Sequence, residues 1–422
     1  MKYLLFFVTF FVISCGGSSD IDEPIIETPT SIILTVNKAT IDLGETVIFS
    51  VKDNLNNIVT SEATIYFDDV AISGFSYTPS IDGNFAVRAE YGGLVSSSIN
   101  VKVDRSIVLT IDKSKILLGD SVTLAVADNE GTNLTNDALY FINGNEISGN
   151  TYTPSKRGNE TIVATYSGIN SNEVNLLTGY KQKVLIEDFT GTWCGWCPRV
   201  LRAIELVEAQ TDESITVAIH RGSTDSSSDS YDPFNYSAGA LEDYIGLNGY
   251  PTAMINRKTL WNYPETSYIG QVTNLVENSG INRVENVGVK IASTLTNNTL
   301  DITVNSAIIN DFDGEKLVVY ILENGLNYNQ TNYTEYFGGQ NVLLNFEHNN
   351  VLRQVPTNIF GDVFNEDELN SESGVYKKEF TIELTGNIQN TSNLDIVAFV
   401  IDASGNVLNS QHSEVGATKD FE

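Results

Sequence analysis

Apolar and polar residues alternate over short runs in two consecutive stretches of the chain, residues 32–102 and 107–177. The stretches align without a gap at a constant offset of 75 positions, so that LTVNKATIDLGETV in the first matches LTIDKSKILLGDSV in the second. A period of two residues is typical of β-strands with one buried face, and short strands between turn residues are typical of a small β-sandwich. The pattern therefore predicts two all-β repeats.

The pattern changes at residue 183. The apolar run KVLIEDF predicts a buried strand, the apolar positions Val200, Ile204 and Val207 have helical spacing, and ITVAIH predicts a second strand. The order strand, helix, strand is typical of an α/β unit with parallel pairing. GYPTAMINR is predicted as a further strand, and residues 265–277 as the closing helix of this unit, which we place at residues 181–282.

Alternation returns in residues 286–422, which we predict to form a C-terminal β-sandwich. Asn297 and Asn298 separate two alternating runs and predict a hairpin, and further strands are expected at residues 316–322, 378–384 and 394–401. The Tyr-rich stretch 328–336 is interpreted as a loop packed against this sandwich, with a recognition surface as the alternative. The predicted fold is thus multidomain, with all-β, α/β and all-β parts in that order.

The first 14 residues contain one Lys followed by an unbroken apolar run, which predicts a signal peptide too short to span a membrane. The tetrapeptide that ends at Cys15 resembles the bacterial lipobox, which implies that Cys15 is acylated and that residues 15–31 form a tether. Gly16, rather than Asp, follows the cysteine and favours the outer membrane, and the acidic tether resembles those of surface-exported lipoproteins. The alternative is an ordinary secretory peptide with an incidental cysteine.

Charge excludes one class of partner. The chain of 422 residues has 54 acidic and 24 basic residues, a formal net charge of -30, and contains no dense Lys/Arg run. Such a chain repels nucleic-acid phosphates, so we expect no nucleic-acid partner. The 41% hydrophobic content is that of folded protein.

With Cys15 assigned to the lipid, Cys194 and Cys197 form a single C-x-x-C pair. A Cys₄ zinc site needs a second pair, and haem attachment needs His where this chain has Pro198, so we predict no metal and no cofactor. Dithiol chemistry remains. Cys194, placed between a strand and a helix, is the predicted nucleophile because a helix N-terminus stabilises a thiolate, and Cys197 would resolve the mixed disulfide.

The motif TGTWCGWCP and the later Tyr250-Pro251-Thr252 resemble the thioredoxin superfamily over residues 181–282. The resemblance implies a thioredoxin-like domain in which Asp188 lies buried beneath the cysteines and relays a proton. The alternative for Asp188 is a surface carboxylate at a strand end. The resemblance also implies that Pro251 is cis and that Tyr250 offers its main chain to an extended substrate.

The tryptophans beside the cysteines, Trp193 and Trp196, are the other predicted substrate contacts. Reductive thioredoxins carry proline at the position of Trp196, so their redox potential cannot be transferred to this chain. His220, at a strand end, is either a proton shuttle or a hydrogen-bonded structural histidine. The loop 222–232, with Asp225 and Asp229, is interpreted as solvated rather than calcium-binding.

TGTWCGWCP, GYPTAMINR and the trailing β region together resemble the outer membrane protein twenty-eight-related lipoproteins, and the two repeats resemble bacterial immunoglobulin-like domains. The first resemblance implies an outer-membrane lipoprotein. The predicted function is thiol/disulfide exchange on disulfide-containing or dithiol envelope proteins. The alternative is a non-enzymatic surface binding or adhesion lipoprotein that uses the domain as a scaffold, and whether the chain is an enzyme stays open. A third interpretation is a structural lipoprotein.

Overall fold

The structure, a computed structural model, describes residues 27–261, 283–309, 312–370 and 373–422. The predicted signal peptide, Cys15 and the helix expected at residues 265–277 lie outside these residues. The chain divides into two compact units, Met1–Ser106 with Asp128–Thr132, and Ile107–Ala127 with Asn133–Glu422. Within the described ranges, no helix combines the length and the apolar character needed to cross a membrane.

The first unit contains two sheets, one ordered β1-β3-β6 and the other β2-β9-β7-β4-β5 with β8 beside β7. Its strands are β1 (Ile32–Val36), β2 (Thr40–Asp42), β3 (Val47–Asp53), β4 (Thr64–Phe67), β5 (Val70–Ala71), β6 (Ser76–Tyr77), β7 (Gly83–Tyr91), β8 (Leu94–Val95) and β9 (Ile99–Asp104). Alternate residues of β3, including Phe49, point into an apolar core together with Ile65 and Val87. This is the burial that a period of two produces.

The second repeat has the same arrangement, in sheets ordered β10-β12-β15 and β11-β18-β16-β13-β14, with β17 beside β16. Its strands are β10 (Ile107–Ile111), β11 (Lys115–Leu117), β12 (Val122–Asp128), β13 (Leu139–Ile142), β14 (Asn145–Ile147), β15 (Thr151–Tyr152), β16 (Gly158–Tyr166), β17 (Ile169–Asn170) and β18 (Val174–Lys181). The starts of β10, β12 and β16 each lie 75 positions after those of β1, β3 and β7.

The remaining strands form a sheet of nine, ordered β22-β21-β19-β20-β29-β26-β33-β34 with β30 beside β26, a sheet of five, ordered β31-β32-β25-β24-β35, and the hairpin β27-β28. The short strand β23 pairs with β18. The elements are β19 (Val184–Thr190), α1 (Pro198–Glu208), β20 (Ser214–His220), α2 (Gly239–Tyr244), β21 (Thr252–Ile255), β22 (Thr259–Trp261), β23 (Val284–Glu285), β24 (Val287–Thr296), β25 (Thr299–Ile308), β26 (Lys316–Glu323), β27 (Leu326–Thr331), β28 (Val342–His348), β29 (Val351–Gln354), β30 (Asp362–Val363), β31 (Leu369–Asn370), β32 (Val375–Glu383), β33 (Leu394–Ile401), β34 (Val407–Glu414) and β35 (Thr418–Lys419).

The prediction of a multidomain fold with an α/β thioredoxin-like domain is wrong. Strands β19 and β20 do pair in parallel, but Ala218 of β20 also pairs in parallel with Val351 of β29. Through this pairing the sheet continues into β26, β33 and β34 of the C-terminal region. The described residues are mainly β-structure, with two α-helices of 11 and 6 residues. The C-x-x-C region is therefore part of a large mainly β assembly.

Both faces of the nine-stranded sheet are covered, which explains why β19 is buried along its whole length. On one face, Leu185 and Phe189 share a core with Tyr320 and Phe399 from the C-terminal strands and with Leu241 of α2. The opposite face has two different covers. Helix α1 packs over β19 and β21, whereas the five-stranded sheet packs over β26 and β33. One continuous core thus joins both halves of the sheet.

Candidate functional site

The loop 191–197 connects β19 to α1 and contains the C-x-x-C pair. Cys194 and Cys197 form a disulfide, and both residues are buried, with exposed fractions of 4% and 2%. Cys197 is the N-cap residue of α1, and Pro198 occupies the first helical turn, where its missing N–H has no helical partner. Cys194, the predicted nucleophile, precedes the helix by one turn of the loop.

The hairpin β27-β28 lies over this loop. The main-chain N–H of Thr331 donates to the carbonyl oxygen of Thr192 at 2.8 Å, and that of Tyr333 donates to the carbonyl oxygen of Gly195 at 2.7 Å. The side-chain amide of Gln330 adds hydrogen bonds to the carbonyl oxygen of Cys194 and to that of Gly191. We call residues 330–333 the disulfide cover, because they occupy the main-chain acceptors of the loop that contains the disulfide.

The ring of Tyr333 lies directly on Gly195. A Cβ atom at position 195 would overlap the ring, so only glycine permits this approach. The same ring meets Trp196 edge to face, with 5.9 Å between the ring centroids. Asn332 holds the end of the hairpin by donating to two main-chain carbonyls, and it is 1% exposed. The disulfide cover thus packs closely on the loop, and the buried side-chain amide of Asn332 has hydrogen-bond partners.

Asp188, the predicted proton relay, lies in β19 and is buried. Its Oδ1 atom has no hydrogen-bond partner among the described residues. Burial without a compensating partner raises the pKa of Asp188 to about 8, because the protein interior disfavours the charged form. This carboxyl group is therefore mainly protonated at neutral pH.

His220 belongs to a buried polar cluster beside Asp188. Its Nδ1 atom donates to Oδ2 of Asp232 at 2.9 Å, and the same oxygen accepts from the main chain of Thr192. Burial alone would raise the pKa of Asp232, but hydrogen bonds from His220, Thr192 and Phe234 together lower it. His348 packs edge to face on His220, and burial, aided by His220, lowers the pKa of His348 to about 3. The structural interpretation of His220 agrees with its hydrogen bond.

The predicted substrate contacts form a second region, a groove of about 570 Å³ beside α1. It is lined by Trp196, which is 50% exposed, and by Tyr250 and the cis-peptide-bonded Pro251. Trp193 contacts this region through the Tyr250 ring, which it meets edge to face, and it donates to the carbonyl oxygen of Arg221. The structure brings these four residues together around one side of the disulfide loop.

Sequence reasoning missed the residues that complete the site, namely Asp232, Gln330 and His348. Asp232 ends the loop that the sequence predicts to be solvated, yet it is 1% exposed, whereas Asp225 of the same loop is exposed. Gln330 is 136 positions from Cys194, and it lies in the mostly polar strand LNYNQT, so no local signal in the sequence distinguishes it. The Tyr-rich stretch packs on the disulfide loop rather than only on its own sandwich.

The chain is similar to outer membrane proteins of the cell envelope. Residues 238–419 match the family described as outer membrane protein Omp28, which supports the expected resemblance and confirms the outer-membrane location. The match begins after the disulfide loop, so it carries no support for thiol–disulfide exchange. The thioredoxin-like and immunoglobulin-like resemblances are not confirmed.

The similarity to the following three solved structures is distant. HBP35 of Porphyromonas gingivalis is 16% identical with a TM-score of 0.43, covering 56% of this chain and 76% of that chain. A domain of the outer membrane lipoprotein Omp28 from Porphyromonas gingivalis is 20% identical with a TM-score of 0.20, covering 32% of this chain and 90% of that chain. The adhesin InvE of Yersinia pseudotuberculosis is 12% identical with a TM-score of 0.18, covering 35% of this chain and 58% of that chain. At these TM-scores no functional conclusion follows. No curated protein matches the chain.

Proposed function

We propose that this protein is a non-enzymatic binding protein of the outer membrane, in which Cys194–Cys197 is a structural disulfide. The observation that carries the proposal is the disulfide cover, which hydrogen-bonds to the carbonyl oxygens of Thr192, Cys194 and Gly195. A substrate that exchanges disulfides must reach the sulfur in line, and both cysteines are buried in the loop that this contact holds. A redox role would require this loop to move, together with the cover that is bonded to it.

We further propose that partners among envelope or surface proteins contact the groove formed by Trp196, Tyr250 and Pro251. Its exposed aromatic ring supports this assignment, because Trp and Tyr contribute large contact areas at protein interfaces. The guanidinium group of Arg199 lies over the Trp196 ring, with 5.6 Å to its centroid, and adds a cation at the rim. Anchorage by acyl chains on Cys15 completes the proposal, and Cys15→Ser should then release the protein from membranes.

The central experiment measures how easily the disulfide is reduced. The mature protein is incubated with reduced glutathione and then with a maleimide, and the number of labelled cysteines is read by mass spectrometry. We expect the wild-type disulfide to persist, as structural disulfides with potentials below about -300 mV do. Tyr333→Ala, which uncovers Gly195, should be labelled faster, whereas Leu344→Ala, at an exposed position of the same hairpin, should behave as wild type.

A second arm tests exchange directly in envelope extracts. If the disulfide is structural, Cys197→Ser should accumulate no more mixed disulfides than Cys194→Ser does. Reductant-sensitive adducts on Cys197→Ser alone, together with rapid reduction of the wild-type disulfide by glutathione, would refute the proposal in favour of an exchange enzyme.

A further inference from the structure

A cavity of about 270 Å³ lies on the inner side of the disulfide and shares no lining residue with the groove at Trp196, as far as the described residues show. We call it the inner cavity. Its walls come from β19, β20, α1 and the hairpin strand β28, and they include Asp188, Cys197, His220 and His348. Of the four residues of the disulfide cover, Gln330 is the one that lines the inner cavity.

Two buried polar atoms of the lining residues lack hydrogen-bond partners within the described part of the chain, Asp188 Oδ1 and His348 Nε2. Asp188 is 3% exposed and His348 is 6% exposed. A buried polar group that is left without a hydrogen bond destabilises the fold. Polar atoms left unpaired around a cavity that can hold a small molecule indicate a place for a hydrogen-bonding ligand.

Both atoms can accept a hydrogen bond. His348 is neutral, and its ring hydrogen-bonds to the main chain of Tyr328. Because Nε2 is the nitrogen without a partner, Nδ1 makes that bond and carries the proton, which leaves Nε2 as an acceptor. Asp188 is an acceptor when ionised. A ligand that satisfies both atoms therefore presents N–H donors.

The charge around the inner cavity selects the ligand further. Glu205, Glu208 and Glu347 also line it, and the described lining contains neither Lys nor Arg. His220 is committed to Asp232. Arg202 pairs with Glu205 at 2.7 Å, and Glu208 accepts from the Thr216 hydroxyl. The field in the cavity is therefore set mainly by the carboxyl groups of Asp188, Glu208 and Glu347, within a chain whose formal net charge is -30. A cation is favoured over a neutral donor or an anion.

We propose that the inner cavity binds a small aliphatic ammonium compound, with one ammonium group at Asp188 and His348 and a second cationic group near Glu205, Glu208 and Glu347. A linear diamine is the simplest such compound. A metal ion is a poorer match, because no group of three or more His, Cys, Asp or Glu among the described residues is placed to hold one. This inference does not depend on the proposed binding function, since it concerns a different surface.

Binding is coupled to proton release. An ammonium group beside Asp188 stabilises the ionised carboxylate, whereas burial favours the protonated acid when the cavity is free. Binding below pH 8 must therefore release the proton of Asp188, and affinity should increase from pH 6 to pH 8 by up to about tenfold per pH unit. The other titratable groups that face the cavity are Glu205 and Glu208 of α1, His220 of β20, and Glu347 and His348 of β28.

The test is titration calorimetry of the full mature protein with 1,4-diaminobutane in amine-free phosphate buffer at pH 6, 7 and 8. 1,4-Butanediol, which has the same length without charge, is the ligand control. We expect the diamine to bind with an affinity that increases with pH. Asp188→Asn should weaken binding at pH 8 by about 10- to 100-fold and abolish the pH dependence, since it removes a charge-assisted hydrogen bond.

Two further variants keep the test decisive. Glu347→Gln, at the exposed part of the cavity lining, should weaken diamine binding severalfold, and Asp225→Asn, in an exposed loop outside the lining, should leave it unchanged. Absence of diamine binding to the wild type, equal binding by Asp188→Asn, or equal binding of the diol would overturn the proposal. Displacement of the diamine by Mg²⁺ at millimolar concentration would overturn it in favour of a metal site.

Discussion

Two neighbouring carboxyl groups of β19 lie in opposite electrostatic environments. Glu187 points to the face shared with the C-terminal strands, where it contacts Arg257 Nε and Nη2 at 3.1 Å and accepts a hydrogen bond from the Tyr320 hydroxyl at 2.9 Å. Asp188 points to the face beneath α1 and has no partner on Oδ1 within the described residues. Both side chains are buried.

The difference separates a structural role from a functional one. Glu187 in β19, Arg257 after β21 and Tyr320 in β26 connect distant strands of the same sheet, so this buried charge is balanced inside the fold. Although burial alone would lower the pKa of Arg257, the Glu187 carboxylate raises it. Asp188 has no such balance, and it faces the inner cavity. Burial of a carboxyl group alone therefore indicates little, whereas a missing partner indicates a site.

The largest expected effect comes from removing the buried ion pair between Glu187 and Arg257. Glu187→Ala leaves Arg257 as an unpaired buried cation and should lower the free energy of unfolding by about 3–5 kcal/mol. Urea unfolding of the mature protein, followed by far-UV circular dichroism, measures the loss. Glu379→Ala removes an exposed partner of Lys377 and should change the value by no more than about 0.5 kcal/mol. A loss below about 1 kcal/mol for Glu187→Ala would contradict the structural role.

An intermediate effect is expected at Asp188, and it depends on pH. The folded-state pKa of about 8 lies above the ordinary value of 3.8, so the folded protein keeps a proton that the unfolded chain releases. The contribution of Asp188 to the free energy of unfolding is fully present below about pH 4. It is lost as the pH rises to about 8, at up to about 1.4 kcal/mol per pH unit. The free energy of unfolding of Asp188→Asn should not decrease with pH in this way, because asparagine does not titrate.

Unfolding free energies of wild type and Asp188→Asn, measured without amines at pH 6 and pH 8, should therefore diverge by about 2–3 kcal/mol in favour of the variant. The exposed residue Asp225 provides the control, and Asp225→Asn should follow the wild type over this range. Parallel curves for wild type and Asp188→Asn would show that Asp188 is ionised and partnered in the folded protein.

The smallest effect is expected at Tyr320, the hydrogen-bonding neighbour of the ion pair between Glu187 and Arg257. Tyr320→Phe removes the hydroxyl that donates to Glu187 and accepts from Arg257, but it keeps the direct contact between Glu187 and Arg257. It should lower the free energy of unfolding by about 1–2 kcal/mol. Tyr328→Phe, at a partly exposed ring of the hairpin, should be nearly neutral. If Tyr320→Phe were as damaging as Glu187→Ala, the hydroxyl rather than the guanidinium would be the main partner of the carboxylate.

Sequence patterns predicted the local elements but not their assembly. The apolar runs of β19 and β20, the helical spacing of α1 and the later strands β26 and β33 are properties of contiguous residues, and the structure contains all of them. The pairing of Ala218 with Val351 leaves no periodic signal in either segment, so sequence patterns predict separate domains where the structure has one sheet. For the same reason Cys194 and Cys197 were recognised from their spacing, whereas Gln330 and His348 were not.

The disulfide cover also imposes an order on assembly. Residues 330–333 are synthesised long after the cysteines that they bury, so the loop 191–197 stays accessible until the hairpin β27-β28 has formed and docked. In that interval an oxidant reaches Cys194 and Cys197 without displacing the hairpin. If the disulfide is structural, as proposed, its bond is made during maturation in an oxidising compartment, and the docked hairpin then restrains the loop that contains it.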